Sequence, residues 1–220
     1  MKGVDLPNGH RISLDSDLVA DLRATLAVFT LDLRRRQVGA VAADLGVAGN
    51  TVRGIHRDGN STRPIDICRS LVTSTSAQVI RHPPQTEQQV RIIFDDYCRS
   101  VGVAFLAQGY KDLGFGQRAK LATLFLKYMA FHRDLHPSAR DLLIKVAPVS
   151  LDEHVLTVLR RAGPFAIPRR VSMGWVKTQK MFAALQAAVR MHTLEAKVPN
   201  LCFDYLGWDL KGRTPTAGIA

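Results

Sequence analysis

Asn50, Thr51, Arg53, His56 and Arg57 are crowded into one short stretch. Each carries a group that can meet a nucleic acid. Arg and Asn present paired donors or acceptors to base edges, and Thr, His and Arg can hold phosphate oxygens. Three consecutive arginines, Arg34, Arg35 and Arg36, precede the stretch, and Arg57 closes it. A second cationic set lies far downstream. From His154 to Leu194 there is no Asp or Glu, and the segment holds Arg160, Arg161, Arg169, Arg170, Lys177, Lys180 and Arg190. Cations without local acids suit a phosphate backbone, where each contact releases a counterion. The plainer alternative for either set is a solvated basic face.

The first set needs a scaffold, and its own neighbours suggest one. Residues 38–57, VGAVAADLGVAGNTVRGIHR, have the spacing of a helix-turn-helix. A first helix is expected over Val38 to Leu45, a turn at Gly46 and Val47, and a second helix from about Gly49 to Arg57. Ala42 is small where the two helices would cross, and Gly46 tolerates the backbone of a tight turn. Val41, Leu45, Val47, Val52 and Ile55 then fall inward, leaving the polar residues outside. The run GVAGNTVRGI resembles the turn and recognition helix of the lac-repressor-type DNA-binding module. That resemblance covers some 20 of the 220 residues. It implies that Gly49, Asn50, Thr51, Arg53, His56 and Arg57 face DNA, with Arg34, Arg35 and Arg36 beside them. Ala48 stands where such modules usually carry a Ser or Thr cap, which weakens the helix start. The competing reading is an ordinary helical hairpin in a core, which has no need of cationic ends.

In the downstream set, Arg160, Arg161, Arg169, Arg170, Lys177 and Lys180 are expected to form a secondary phosphate-binding surface. The sequence RRAGPFAIPRRVSMGWVKTQK reads as a loop leading into a helix. Trp175 in that setting could stack on a base or pack into the core.

Other reactive residues make poorer sites. His132 and His136 are four apart, but lack a third ligand nearby. Adjacent Asp95 and Asp96 point to different faces of a helix. Asp204 and Asp209 flank Leu-Gly-Trp without an identifiable partner. There is no P-loop, no G-x-S-x-G and no H-E-x-x-H. No metal and no cofactor are expected. Cys68, Cys98 and Cys202 are odd in number and widely spaced, so they read as partly buried free thiols of a reducing compartment.

The elements that must carry these groups are helical. Residues 14–33 repeat Leu18, Leu22, Leu26 and Phe29 at helical spacing, with Asp15 or Ser16 as cap. Residues 58–64 are loop, and 65–80 are compatible with helix or strand. His82-Pro83-Pro84-Gln85 marks a boundary, followed by a helix from Thr86 to about Val103. Further helices are expected over 117–136, 138–146, 150–162 and 173–194, and the tail 211–220 lacks periodicity and reads as disordered. The fold expected is all-α: a helix-turn-helix domain over 1–82, then a larger helical domain over 83–210.

Net charge is +11 and the pI about 10.1, which favours a polyanionic partner. The surplus is greater in 83–220, with nineteen Lys and Arg against eleven acids, than in 1–82, with eleven against eight. No apolar run is long enough to span a bilayer, and the start lacks the apolar core of a signal peptide. These features point to a non-enzymatic, sequence-specific duplex-DNA-binding protein of the cytoplasm and nucleoid. It would be a transcriptional regulator of a prokaryote, phage or mobile element. It is expected to act as a homodimer, with a possible protein partner for the helical domain. The alternative is a DNA-processing or recombination factor targeted by the helix-turn-helix, and a weaker one is RNA binding.

Overall fold

Leu18, Leu22, Thr25 and Phe29 recur every three or four residues with Val19 beside them, and all are buried. They form the inner face of the first helix, α1 (Ser16–Val38). Asp15 caps it, its carboxylate accepting the Leu18 amide at 2.8 Å, and Asp17 in the first turn suits the helix dipole. The structure, a computed structural model, describes residues 3–7, 9–38, 52, 55, 62–162 and 167–212. The side chains of 32–38 and 208–212 lie outside that description.

Among the described residues the fold is all-α apart from one short hairpin. Strands β1 (Gly3–Asp5) and β2 (Arg11–Ser13) pair antiparallel, Val4 opposite Ile12. The hairpin packs on the helix of residues 179–196. It is fastened to the end of another helix, because Ser13 donates both its N–H and its hydroxyl to the Ala162 carbonyl at 3.0 Å.

Helix α2 (Pro64–Arg81) settles the ambiguity at 65–80. Pro64 sits in the first turn, where its missing N–H costs nothing. Ile67, Cys68, Val72 and Val79 turn inward. The hydroxyls of Ser74 and Ser76 donate to carbonyls of the preceding turn, which makes a Ser- and Thr-rich helix tolerable. The helices break over residues 82–86, and α3 (Glu87–Ala107) starts just beyond on a capping box of Thr86 and Gln89.

Helix α4 (Phe115–Ala130) is the central strut, buried on nearly every side. It packs on α3 and on α5 (Pro137–Val146), with Tyr97 stacked on Phe125 at 4.3 Å. The expected helix over 117–136 therefore stops at Ala130. Phe131 and Leu135 keep helical spacing in sequence, yet they fold inward from a turn that ends where Pro137 opens α5. Then come α6 (Glu153–Arg161), α7 (Gln179–Ala196) and α8 (Asn200–Gly212). The helix expected from 173 begins at Gln179, with Met173–Trp175 forming a separate 3-10 turn. Helix α8 reaches Gly212, two residues into the expected tail, and the rest of that tail lies outside the described residues.

One core joins these elements. α1 packs on α7 and α8, and α8 packs on α5, α6 and α7. Buried apolar residues from both sides of the 82–86 break belong to the same cluster. Among the described residues no helix is long and apolar enough to cross a membrane.

Candidate nucleic-acid interface

The segment 167–180 alternates buried pegs with exposed cations. Ile167, Val171 and Val176 are buried, while Arg169, Arg170, Lys177 and Lys180 are exposed. Anchoring apolar residues on one side forces the intervening charges to the other. The 3-10 turn in its middle lies close against the first turn of α4. A Cβ on Gly116 would sit 2.0 Å from the Met173 carbonyl oxygen and 2.8 Å from that of Val176. Only glycine admits that approach. Trp175 is half-buried and packs against the core, so the core alternative describes it better than an open stacking platform.

The seven cations of the acid-free stretch divide into two groups. Arg160 donates to the carbonyls of Pro168 at 3.2 Å and Arg169 at 2.8 Å, which holds the segment against α6. Arg161 pairs with Asp21 at 2.7 Å and ties α6 to α1. Arg190 meets Glu87 with both terminal nitrogens and joins α7 to α3. Arg169, Arg170, Lys177 and Lys180 have no carboxylate within ion-pair distance among the described residues. Lys177 and Lys180 flank the start of α7, whose first turn holds no acid. The helix dipole disfavours cations there, so helix stability does not account for them. Thr178 caps α7 by accepting the Met181 amide at 3.1 Å.

The upstream set is only partly described. Arg34, Arg35 and Arg36 lie in the last turns of α1, a position that favours cations on its own account. Val38, where the first helix of the pair is expected to open, belongs to α1. Gly49, Asn50, Thr51, Arg53, His56 and Arg57 lie outside the described residues, as does the expected turn. Of that stretch Val52 is buried, and Ile55 packs against the core with its amide on the Val52 carbonyl at 3.1 Å.

A buried ionic cluster escaped sequence reasoning. Lys120 and Lys127, seven apart on α4, face the start of α6 and the middle of α8. Lys127 pairs with Asp204, whose side chain is only 2% exposed, and lies over the Tyr205 ring at 5.2 Å. Lys120 stands 4.0 Å from Asp152. Asp152 caps α6 by accepting the amides of His154 and Val155. Burial raises the Asp152 pKa, and this outweighs the opposing amide bond and Lys120 charge. Asp204 Oδ1 and Ser150 Oγ are buried without a hydrogen-bond partner among the described residues. Two lysines on a helix that is otherwise almost wholly apolar were the available signal.

The remaining candidates are dispersed. His132 follows the end of α4, while His136 precedes the first turn of α5 without capping it and shares a 2.8 Å hydrogen bond with Ser138. Asp96 pairs with Arg99, and Asp95 accepts a 3.4 Å contact from Gln179. The Asp209 side chain lies outside the described residues. Among the described residues no three His, Cys, Asp or Glu side chains gather as a metal site. Cys68, Cys98 and Cys202 are buried free thiols, and burial pushes Cys68 and Cys98 up to about 12. A cleft of about 440 Å³ runs between α3 and α7, floored by Val90, Phe94 and Phe182 and bridged by Glu87 and Arg190. The chain matches no family model, no curated protein and no solved structure.

Proposed function

We propose that this chain binds duplex DNA as a sequence-specific regulator, with residues 38–57 reading bases and the 167–180 segment holding phosphates. The observation that carries the reading is the exposed quartet of Arg169, Arg170, Lys177 and Lys180. These cations share a short acid-free segment, turned outward by buried pegs and without carboxylate partners among the described residues. No packing or ion-pair role among the described residues accounts for these four charges, whereas a phosphate backbone would use them. The net charge of +11 supports the same partner class, and the inward Val52 and Ile55 suit the helix-turn-helix spacing.

A mobility-shift titration on duplex DNA, single-stranded DNA and RNA tests this. Duplex should bind tightest, with affinity falling steeply as salt rises. Replacing the four cations by Gln should weaken binding to all duplexes alike. It should also reduce the steepness of the log–log salt plot by about three to four, at roughly 0.9 per phosphate contact. Asn50→Ala or Thr51→Ala should instead change which sequence is preferred. Tighter binding of RNA or single strands, or a parental salt slope in the four-fold variant, would overturn the reading.

A further inference from the structure

The outward side of α3 carries a stripe of residues spaced four, three, four and three: Ile92, Asp96, Arg99, Val103 and Leu106. That is the spacing of a coiled-coil seam, which keeps every member on one narrow face. All five are exposed, and the three apolar members are conspicuous. Ile92 is 48% exposed, Val103 63% and Leu106 53%. They make up half of the large hydrophobic side chains left exposed among the described residues, and they fall on a single line. The stripe runs along a ridge, with the α3–α7 cleft on one side and a second cleft toward α2 on the other.

We propose that this ridge is a two-fold interface between two copies of the chain, with the two α3 helices antiparallel. The order of residues decides the occupant. Counted from the midpoint between Tyr97 and Cys98, the four members Ile92, Asp96, Arg99 and Val103 are complementary to their own reverse. Ile92 falls opposite the partner's Val103, Asp96 opposite the partner's Arg99, and Gln89 opposite the partner's Leu106. A two-fold contact demands such self-complementarity, since each layer occurs twice with its members exchanged. The charges also fix the direction. A parallel pair would set Asp96 on Asp96 and Arg99 on Arg99, and like charges across a seam exclude that arrangement. Within one chain Asp96 and Arg99 already pair at 3.1 Å. Across the two-fold axis they become a ring of four alternating charges, with apolar layers on both sides. One helix face is small beside a standard interface of about 800 Å² per partner, so the dimer is weak and depends on concentration.

Sedimentation velocity over a wide concentration range, at physiological salt and without DNA, tests this independently of nucleic-acid binding. The parent should pass from monomer to dimer as concentration rises. Asp96→Arg alone places four cations around the axis, and Arg99→Asp alone places four anions there. Each should raise the dissociation constant by at least about tenfold, because four like charges then meet around the axis. An equimolar mixture of the two variants should restore dimers, because a mixed pair again sets Arg against Asp in both layers. Unchanged circular dichroism and melting in each variant would show that the fold is intact. A parent that stays monomeric at every concentration, single variants that dimerise like the parent, or a mixture that stays monomeric would each overturn the proposal.

Discussion

His192 is fully buried in a helical core and holds two backbone groups at once. Its Nε2 accepts the Asp15 amide at 3.2 Å, and its Nδ1 lies 2.8 Å from the Ala188 carbonyl. The first bond requires a bare Nε2, so the proton sits on Nδ1 and donates to Ala188. Burial lowers its pKa below the usual 6.5, against the smaller opposing pull of the Ala188 bond and the Asp15 charge. The folded chain then resists a proton that the unfolded chain accepts. Stability from this group is full above pH 6.5 and is lost as pH falls toward the depressed folded value. Urea unfolding between pH 8 and 5 should show that decline, and His192→Gln should flatten it; an unchanged slope would remove His192 as its source. The Lys127–Asp204 pair belongs to the same scale. Lys127→Met strands a buried carboxylate whose second oxygen already lacks a partner among the described residues. It should cost about 3–5 kcal/mol, whereas Lys127→Met combined with Asp204→Leu should recover most of the loss. A denaturant series on the parent, single and double variants checks both figures. The double variant remaining as unstable as the single would sink the account.

At the scale of elements, Gly116 governs where the 167–180 segment lies. Gly116→Ala places a methyl group inside the Met173 carbonyl, so the 3-10 turn must retreat from α4. Overpacking of this kind costs about 1–3 kcal/mol. Hydrogen exchange should quicken at 173–176 in that variant, while α2 keeps parental protection. Parental exchange at 173–176 would mean that the turn does not depend on this contact. Elements were legible in the sequence where one helix face was apolar and the other polar, as in α1 and α3. α8 went unread because Leu201, Cys202, Phe203, Asp204 and Leu206 are all buried, and a helix apolar around most of its circumference shows no stripe. The hairpin strands are three residues each, too short to display alternation. Helix α4 was read too long because Phe131 and Leu135 extend its apolar rhythm through a turn. The cationic side chains were plain in sequence. That Arg160 and Arg161 would serve as internal ties was not, because their partners, Asp21 and two carbonyls of the downstream loop, are brought up only by the tertiary fold.

At the scale of the whole molecule, the prolines at 83 and 84 interrupt the helices without dividing the core. Leu18, Leu22 and Phe29 are buried where α1 meets α7 and α8, and the hairpin is tied to Ala162 and packed on α7. The Arg161–Asp21 and His192–Asp15 links cross between the same two halves. Many helix-turn-helix segments are portable cassettes that can be grafted from one body to another. Here the helix leading into residues 38–57 is half of the wall that closes the rest of the protein. Exchanging the first eighty residues with those of another chain would open the body they were taken from. If residues 38–57 read bases as proposed, their specificity would then have to change by substitution in place rather than by swapping parts.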